Sequence, residues 1–286
     1  MEIVVKPKDI NNLDKYLEMK ANAFIFGIKN YSVNTTSTVD FKTLSNMKNT
    51  LPKEVKIFVS IDKNIFNKDL KNLEEVLLQL ETLNLDGILF YDIALLRLRD
   101  KLKLKTPLIW NQNFFVTNYK TINYYKDNLN VNSCVLSNEI TIEEIKEITK
   151  NTTSKLFVNA FGYQLMAFSK RKLITSYFNK IKTLNLKKDH MLKDKNGTYM
   201  IKEEKDGTAF ITSKITNYFS VLKALKNLGV SYVILDEKNI PNYKFLKVID
   251  IFYKEINDLK VEDNLDDLFD NLGTGFLHQK TIYKVK

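Results

Sequence analysis

Leu156-Phe-Val-Asn-Ala-Phe-Gly-Tyr-Gln-Leu-Met-Ala-Phe-Ser-Lys-Arg-Lys-Leu-Ile-Thr-Ser-Tyr-Phe178 opens with a short, continuous apolar run, Leu156-Phe-Val158, of the kind found in strands buried on both faces. Gly162 interrupts it, and Gln164, Ser169, Arg171, Thr175, Ser176 and Tyr177 then set polar groups on an apolar background. Similar runs occur elsewhere in the chain: Ile3–Val5, Ala23–Ile28, Lys56–Ile61, Gly87–Tyr91, Pro107–Trp110, Ser133–Leu136 and Tyr232–Leu235. Between the first seven runs lie segments with helical spacing. One carries Leu70, Leu73, Val76, Leu77 and Leu80; another carries Ile142, Ile145 and Ile148 after Thr141-x-x-Glu144, a capping-box pattern. Strands separated mostly by helices predict an α/β fold with a parallel sheet. Eight strands close a (β/α)8 TIM barrel. An open doubly wound sheet has the same periodicity, because periodicity does not encode closure.

Polar residues follow the apolar runs: Lys29 and Asn30, Asp62 and Asn64, Asp92, Asn111 and Gln112, Asn138 and Glu139, Asn159, then Asp236 and Glu237. In a parallel barrel these positions share the rim where ligands and chemistry are found. Loops also begin with polar residues, but that alone gives no preference for amides and acids over Gly, Pro and Ser. Gly and Pro are nearly absent at these ends.

The alternation of strand and helix fails between Tyr177 and Leu228. There Asn196-Gly197 and Asp206-Gly207 separate alternating segments, which is a hairpin signal. The expectation is one barrel domain over residues 1–286, with a small β-hairpin insertion at 187–213 between strands 7 and 8. A helix at Tyr218–Leu228 leads back to the last strand, and an amphipathic helix at Lys244–Leu259 closes the fold. The tail, Phe276–Val285, is a further candidate strand.

The formal charge of +10 points to a polyanionic partner, although abundant Lys, Asn and Ile with scarce Gly and Pro also fit low-GC coding. Distribution says more than the total. Lys170–Lys202 holds ten basic residues and only Asp189 and Asp194 as acids, whereas Glu255–Asp270 holds seven acids and only Lys260 as a base. Lys180, Lys182, Lys187, Lys188, Lys193 and Lys195 are therefore the candidates for contacts with that polyanion, through phosphates if it is RNA. No segment approaches the roughly 20 apolar residues of a membrane span. Met1-Glu-Ile-Val-Val-Lys6 lacks a signal peptide's regions, and the single cysteine excludes an intramolecular disulfide. A cytoplasmic protein without a membrane partner is expected.

Several chemistries lack their residues. The eight glycines are scattered and form no phosphate-binding loop. His190 and His278 lie too far apart for zinc-ligand spacing, so no metal and no cofactor are expected. Cys134, between apolar neighbours, reads as a buried structural thiol. What remains is a pocket of amides, hydroxyls, carboxylates and one Arg. Asp92 and Glu139, from different strand ends, are candidates for acid and base, or equally for orienting Arg171 or a lysine. Arg171 is one of only three arginines in a chain with 44 Lys and Arg. An Arg where Lys is the default cation reads as a need for a planar fork, or simply as a surface residue.

Gly162-Tyr-x-x-Met-x-x-Ser-x-Arg-x-Leu-x-x-x-Tyr177 resembles the signature of the collagenase-like peptidase family U-32. Asp86-Gly-Ile-Leu-Phe-Tyr-Asp92, Asn111-Gln-Asn-Phe-Phe-Val-Thr-Asn118, Val135-Leu-Ser-Asn-Glu139 and the tail Gly275-Phe-Leu277 to Tyr283-Lys-Val-Lys286 add to it, in family order across nearly the whole chain. The resemblance gives weight to Gln112, Asn118, Gly162, Ser169, Ser176 and Tyr177 as substrate-binding positions, beside Glu139 and Arg171. It assigns them no roles. Many members of the family carry four cysteines after this signature, resembling an iron–sulfur site, and this chain has none there.

The resemblance implies a role in RNA modification: relatives serve oxygen-independent hydroxylation, including that of the tRNA wobble uridine at position 5, some as paired subunits. A member without the cysteines would be the accessory partner of a cysteine-bearing homologue, holding tRNA or a small oxygen donor. Two other readings stay open. One is the peptidase of the family name, for which no convincing nucleophile is evident. The other is a non-catalytic barrel that binds a small anion through Arg171.

Overall fold

The computed structural model describes residues 1–184, 187, 189–194 and 197–279. The expected runs form eight strands: β1 (Glu2–Lys6), β2 (Ala23–Ile28), β3 (Lys56–Ile61), β4 (Gly87–Phe90), β5 (Leu108–Trp110), β6 (Ser133–Val135), β7 (Lys155–Gly162) and β8 (Tyr232–Asp236). Each pairs in parallel with the next, and β8 pairs with both β7 and β1, so the sheet closes into a TIM barrel. Closure leaves no barrel edge exposed.

The helices that follow the strands are α1 (Leu13–Glu18), α2 (Phe41–Thr50), α3 (Leu70–Glu81), α4 (Ala94–Leu102), α5 (Tyr119–Leu129), α6 (Ile142–Asn151), α7 (Leu222–Asn227) and α8 (Asn242–Ile256). Each presents an apolar stripe to the sheet; Leu73, Leu77 and Leu80 of α3 and Phe245, Val248 and Phe252 of α8 are buried this way. The capping box of α6 is formed: the Thr141 hydroxyl and Glu144 carboxylate each accept from the other's backbone N–H.

Two apolar clusters result because both faces of every barrel strand are covered. The larger lies between strands and helices. The smaller draws on all eight strands and includes Val4, Phe58, Leu89, Ile109, Phe157 and Ile234. It fills the barrel interior, with Phe58, Phe157 and Tyr232 packed ring on ring.

The insertion between β7 and β8 is a four-stranded antiparallel sheet in the order 189–194, 197–204, 207–211, 165–169. It starts earlier than residue 187, because Leu165–Ser169, inside the family-like signature, is one of its edge strands, paired with 207–211. A helix at Leu173–Lys180 packs on it through Glu203, whose buried carboxylate accepts from the Thr175 backbone and hydroxyl. The second hairpin is one residue out of the expected register. Glu204 pairs with Gly207, so the two-residue connection is Lys205-Asp206, and neither residue has positive φ. Gly207 is required instead by crowding: at φ +146°, a Cβ there would lie 2.1 Å from the Ser169 carbonyl oxygen.

The chain returns through Ile215–Asn217, which runs antiparallel to the end of β7 and parallel to Leu272–Gly273. Phe276 and Leu277 lie in a turn rather than a strand, and residues 280–286 of the expected tail strand lie outside the described residues. Among the described residues no helix is long and apolar enough to cross a membrane.

Candidate functional site

Along each strand, residues two apart share a face. The inward face is apolar through the barrel's middle and turns polar at its C-terminal end. Val4 leads to Lys6, Phe58 to Ser60 and Asp62, Ile109 to Asn111, Phe157 to Asn159 and Ile234 to Asp236. These polar ends floor a cavity of about 440 Å³. Phe66, Tyr91 and Phe114, from the loops after β3, β4 and β5, line its side, and Phe168 and Lys170 of the insertion face them.

At the floor, Lys6 Nζ lies 3.5 Å from Asp236 Oδ2, with both side chains 14% exposed or less. Asp236 also accepts from the Thr36 hydroxyl and, at 2.9 Å, from the Lys238 backbone N–H. Asp62 accepts from the Val33 N–H at 2.6 Å and the Asn34 N–H at 3.3 Å. Its side chain lies at the cavity floor. Desolvation there raises its pKa, against the backbone hydrogen bonds and the charges of Lys6 and Lys238. Lys238, below the insertion sheet, is shifted down by burial, with Asp236 and Glu204 opposing the shift. An amide relay closes one wall: Asn159 Nδ2 donates to Asn138 Oδ1 at 3.0 Å, and Asn138 Nδ2 donates to Gln164 Oε1 at 2.7 Å.

Two contacts fasten the insertion over this mouth. Lys63 Nζ meets Asp206 Oδ1 at 2.8 Å, and Lys170 Nζ sits 3.8 Å above the Phe66 ring.

Of the residues singled out as catalytic or substrate-binding, none is in this lining, whereas the polar strand ends Asp62, Asn64, Asn111, Asn159 and Asp236 are. Asp92 accepts from the Ile65 N–H at 2.8 Å and the Ala94 N–H at 2.9 Å, joining the loops after β3 and β4. Gln112 accepts from Trp110 Nε1 at 2.9 Å and donates to the Tyr91 carbonyl. Asn118 caps α5 through the Thr121 N–H at 2.9 Å. Glu139 is exposed, with its N–H 3.2 Å from Ser137 Oγ. Gly162 has φ +122°, and a Cβ there would lie 2.6 Å from the Asp236 carbonyl oxygen. Ser169 Oγ accepts from the Arg171 N–H at 3.2 Å, and the Arg171 side chain is exposed.

Ser176 and Tyr177 are exposed on the insertion helix with Lys180; Lys182 and Lys187 follow that helix, and Lys193 lies on the outermost insertion strand. Lys188 and Lys195 lie outside the described residues. The structure thus brings Asp92 and Gln112 to neighbouring loops of the mouth, and sets Arg171, Ser176 and Tyr177 together on the insertion.

Lys6, Phe66, Tyr91, Phe114 and Phe168 were not legible as site residues. Once the inward face of each strand is known, parity places Lys6 and Tyr91, two residues beyond Val4 and Leu89, at the cavity; Phe66, Phe114 and Phe168 lie beyond the strands and carry no such signal. Cys134 is buried in β6, and burial pushes its thiol pKa up, so this chain offers no ligand set for a four-cysteine cluster. Among the described residues no group of His, Cys, Asp and Glu could hold a metal ion.

A closed barrel with a polar, aromatic-walled mouth roofed by an insertion after strand seven defines the class as TIM-barrel proteins with a C-terminal-rim site. Within it, the chain belongs to Peptidase family U32, whose model matches residues 8–281. Over 99% of both chains it is 24% identical to tRNA hydroxylation protein P2 of Bacillus subtilis (strain 168). An uncharacterized protease of Methanocaldococcus jannaschii is 24% identical over 62% of this chain and 44% of its own. A solved U32 peptidase superposes with TM-score 0.51 at 9% identity, over 84% of this chain and 94% of its own. Phosphoribosyl anthranilate isomerase from Thermus thermophilus gives 0.53 at 10% identity, over 91% and 100%. These two likenesses establish the fold alone.

Proposed function

We propose that the chain is a cytoplasmic accessory subunit in 5-hydroxylation of the tRNA wobble uridine, paired with a cysteine-bearing iron–sulfur homologue. The observation that carries this reading is the end-to-end match to tRNA hydroxylation protein P2, 99% of each chain. The missing cluster ligands fit an accessory role, since the redox step would reside in the partner. In this reading Arg171, Ser176, Tyr177 and the insertion lysines Lys180, Lys182, Lys187 and Lys193 meet the tRNA backbone. Asp92, Gln112, Asn118 and Gly162 hold the loops of the mouth, and Glu139 and Ser169 support its insertion side.

The test is expression in a B. subtilis strain lacking protein P2, followed by mass spectrometry of nucleosides from digested tRNA. Restored 5-oxygenated wobble uridine is the expected result; its absence despite soluble protein would overturn the proposal. Peptide hydrolysis is the second reading, favoured by one contact, Ser60 Oγ to Asp62 Oδ2 at 3.4 Å. That pair supplies a hydroxyl and a base, but Ser60 is buried and no histidine lines the cavity.

A further inference from the structure

We infer that the mouth cavity receives a single nucleobase turned out of an unpaired RNA loop, with the flanking phosphates held by Lys68, Lys170 and Lys205. This inference rests on the RNA-modification reading and adds the mode of recognition.

The walls supply the surfaces a base needs. Phe66, Tyr91 and Phe114 stand on three successive loops, with Phe168 facing them from the insertion. Stacking on such rings holds any base by its π-face. Edge recognition requires donors and acceptors in one plane, which side-chain amides provide. Asn34, Asn111 and Asn113 line the cavity, and among the described residues their side chains make no hydrogen bond. Each leaves both an N–H pair and a carbonyl oxygen available.

Charge decides between a neutral base and a small anion. At the floor, Lys6 is paired with Asp236, and Asp62 adds a second carboxyl. An anion entering that floor would face two acids and one cation already engaged. The opening is the reverse. Lys68, Lys170 and Lys205 are exposed, and among the described residues none of the three is ion-paired. A floor whose cation is already paired, beneath a lip carrying three lysines, suits an uncharged base inserted from an anionic backbone. A volume of about 440 Å³ lies within the range of small-ligand sites and leaves room for a nucleoside-sized group. A base inside a duplex cannot reach the floor, so the target must be unpaired.

The experiment uses a labelled RNA hairpin with a seven-nucleotide loop and seven versions of it, each abasic at one loop position, titrated by fluorescence anisotropy. One abasic position is expected to weaken binding by roughly 5- to 150-fold, the range for one stacked base. Phe114→Ala should weaken binding to the intact hairpin by a similar factor and lose the sensitivity to that position. Phe114 is 40% exposed, so the variant should keep the wild-type melting curve. Asn111→Ala, also at a partly exposed position, provides a second variant with the same expectation.

Equal binding of all abasic hairpins, or of a blunt RNA duplex, would overturn the inference. So would a Phe114→Ala protein that binds RNA normally but loses a co-purifying protein partner, since the mouth would then be a protein interface. The two readings separate cleanly. Complementation in B. subtilis without abasic sensitivity sinks the inserted base alone, and abasic sensitivity without complementation sinks the hydroxylation role alone.

Discussion

Asp236 and Glu237 are adjacent in the chain and belong to opposite sides of the barrel wall. Asp236 points inward to the cavity with Lys6. Glu237 points outward, is fully buried, and accepts from the Lys8 N–H and Tyr16 hydroxyl at 2.6 Å and from Asn242 Nδ2 at 2.8 Å. Burial and that hydroxyl contact raise the Tyr16 pKa, so the phenol stays protonated as the donor. The same contrast recurs around the rim. The outward Asp92 and Gln112 have their hydrogen-bonding groups engaged by loops, while the inward Asn111 side chain has no hydrogen-bond partner among the described residues. The engaged outward groups hold the loops in place; the inward Asn111 amide has capacity left for a ligand. One residue of parity separates a loop brace from a cavity-facing side chain.

The sharpest way to break this comparison is Glu237→Ala. It removes a buried carboxylate that accepts from the Tyr16 hydroxyl, the Lys8 N–H and Asn242 Nδ2, and should cost about 3 kcal/mol of unfolding free energy in urea titrations. A loss below about 1 kcal/mol would mean the outward layer is not the structural one. Gly162→Ala should follow at about 2 kcal/mol, because a positive φ and a close carbonyl both oppose the new Cβ.

Asp62→Asn tests the inward layer by sign. The folded carboxyl titrates above its ordinary value of 3.8, so the native state holds its proton longer than the unfolded chain does. Stability therefore falls as pH rises from the unfolded value through the raised one. The Asn variant should match wild type at pH 3 and exceed it at pH 7, while RNA modification declines. Equal stability at both pH values would remove the argument that the cavity is desolvated.

Asn111→Ala should change stability by less than about 0.5 kcal/mol while weakening RNA binding. The smallest effect compares the two lysine sets by salt titration. Gln at Lys68, Lys170 and Lys205 should flatten the slope of log affinity against log salt by roughly 0.7 for each phosphate no longer neutralised. Gln at Lys180, Lys182 and Lys193 should flatten it less, because none of these three lysines lines the cavity. A larger effect from the insertion set would move the main RNA track outward.

Much of the architecture was legible in the residues. The apolar runs, the helical spacing between them and the Thr141–Glu144 capping box are local signals, set by side-chain packing within one element. The insertion was visible as a failure of that alternation, although its hairpin register slipped by one residue because crowding at Gly207, and not turn geometry, fixes the glycine. The polar strand ends were equally plain, and Asp62, Asn111, Asn159 and Asp236 were among them.

Which of those ends faces the cavity was decided only in three dimensions. A half-exposed strand announces its inner face by alternating polar and apolar residues. A barrel strand is buried on both faces, so Phe58 and Val59, or Phe157 and Val158, are equally apolar and carry no parity. Closure of β8 against β1 and β7 fixes that parity, and the pairing of Leu165–Ser169 with 207–211 brings Phe168 over the mouth. Both are contacts between residues far apart in the chain, and no local pattern records them.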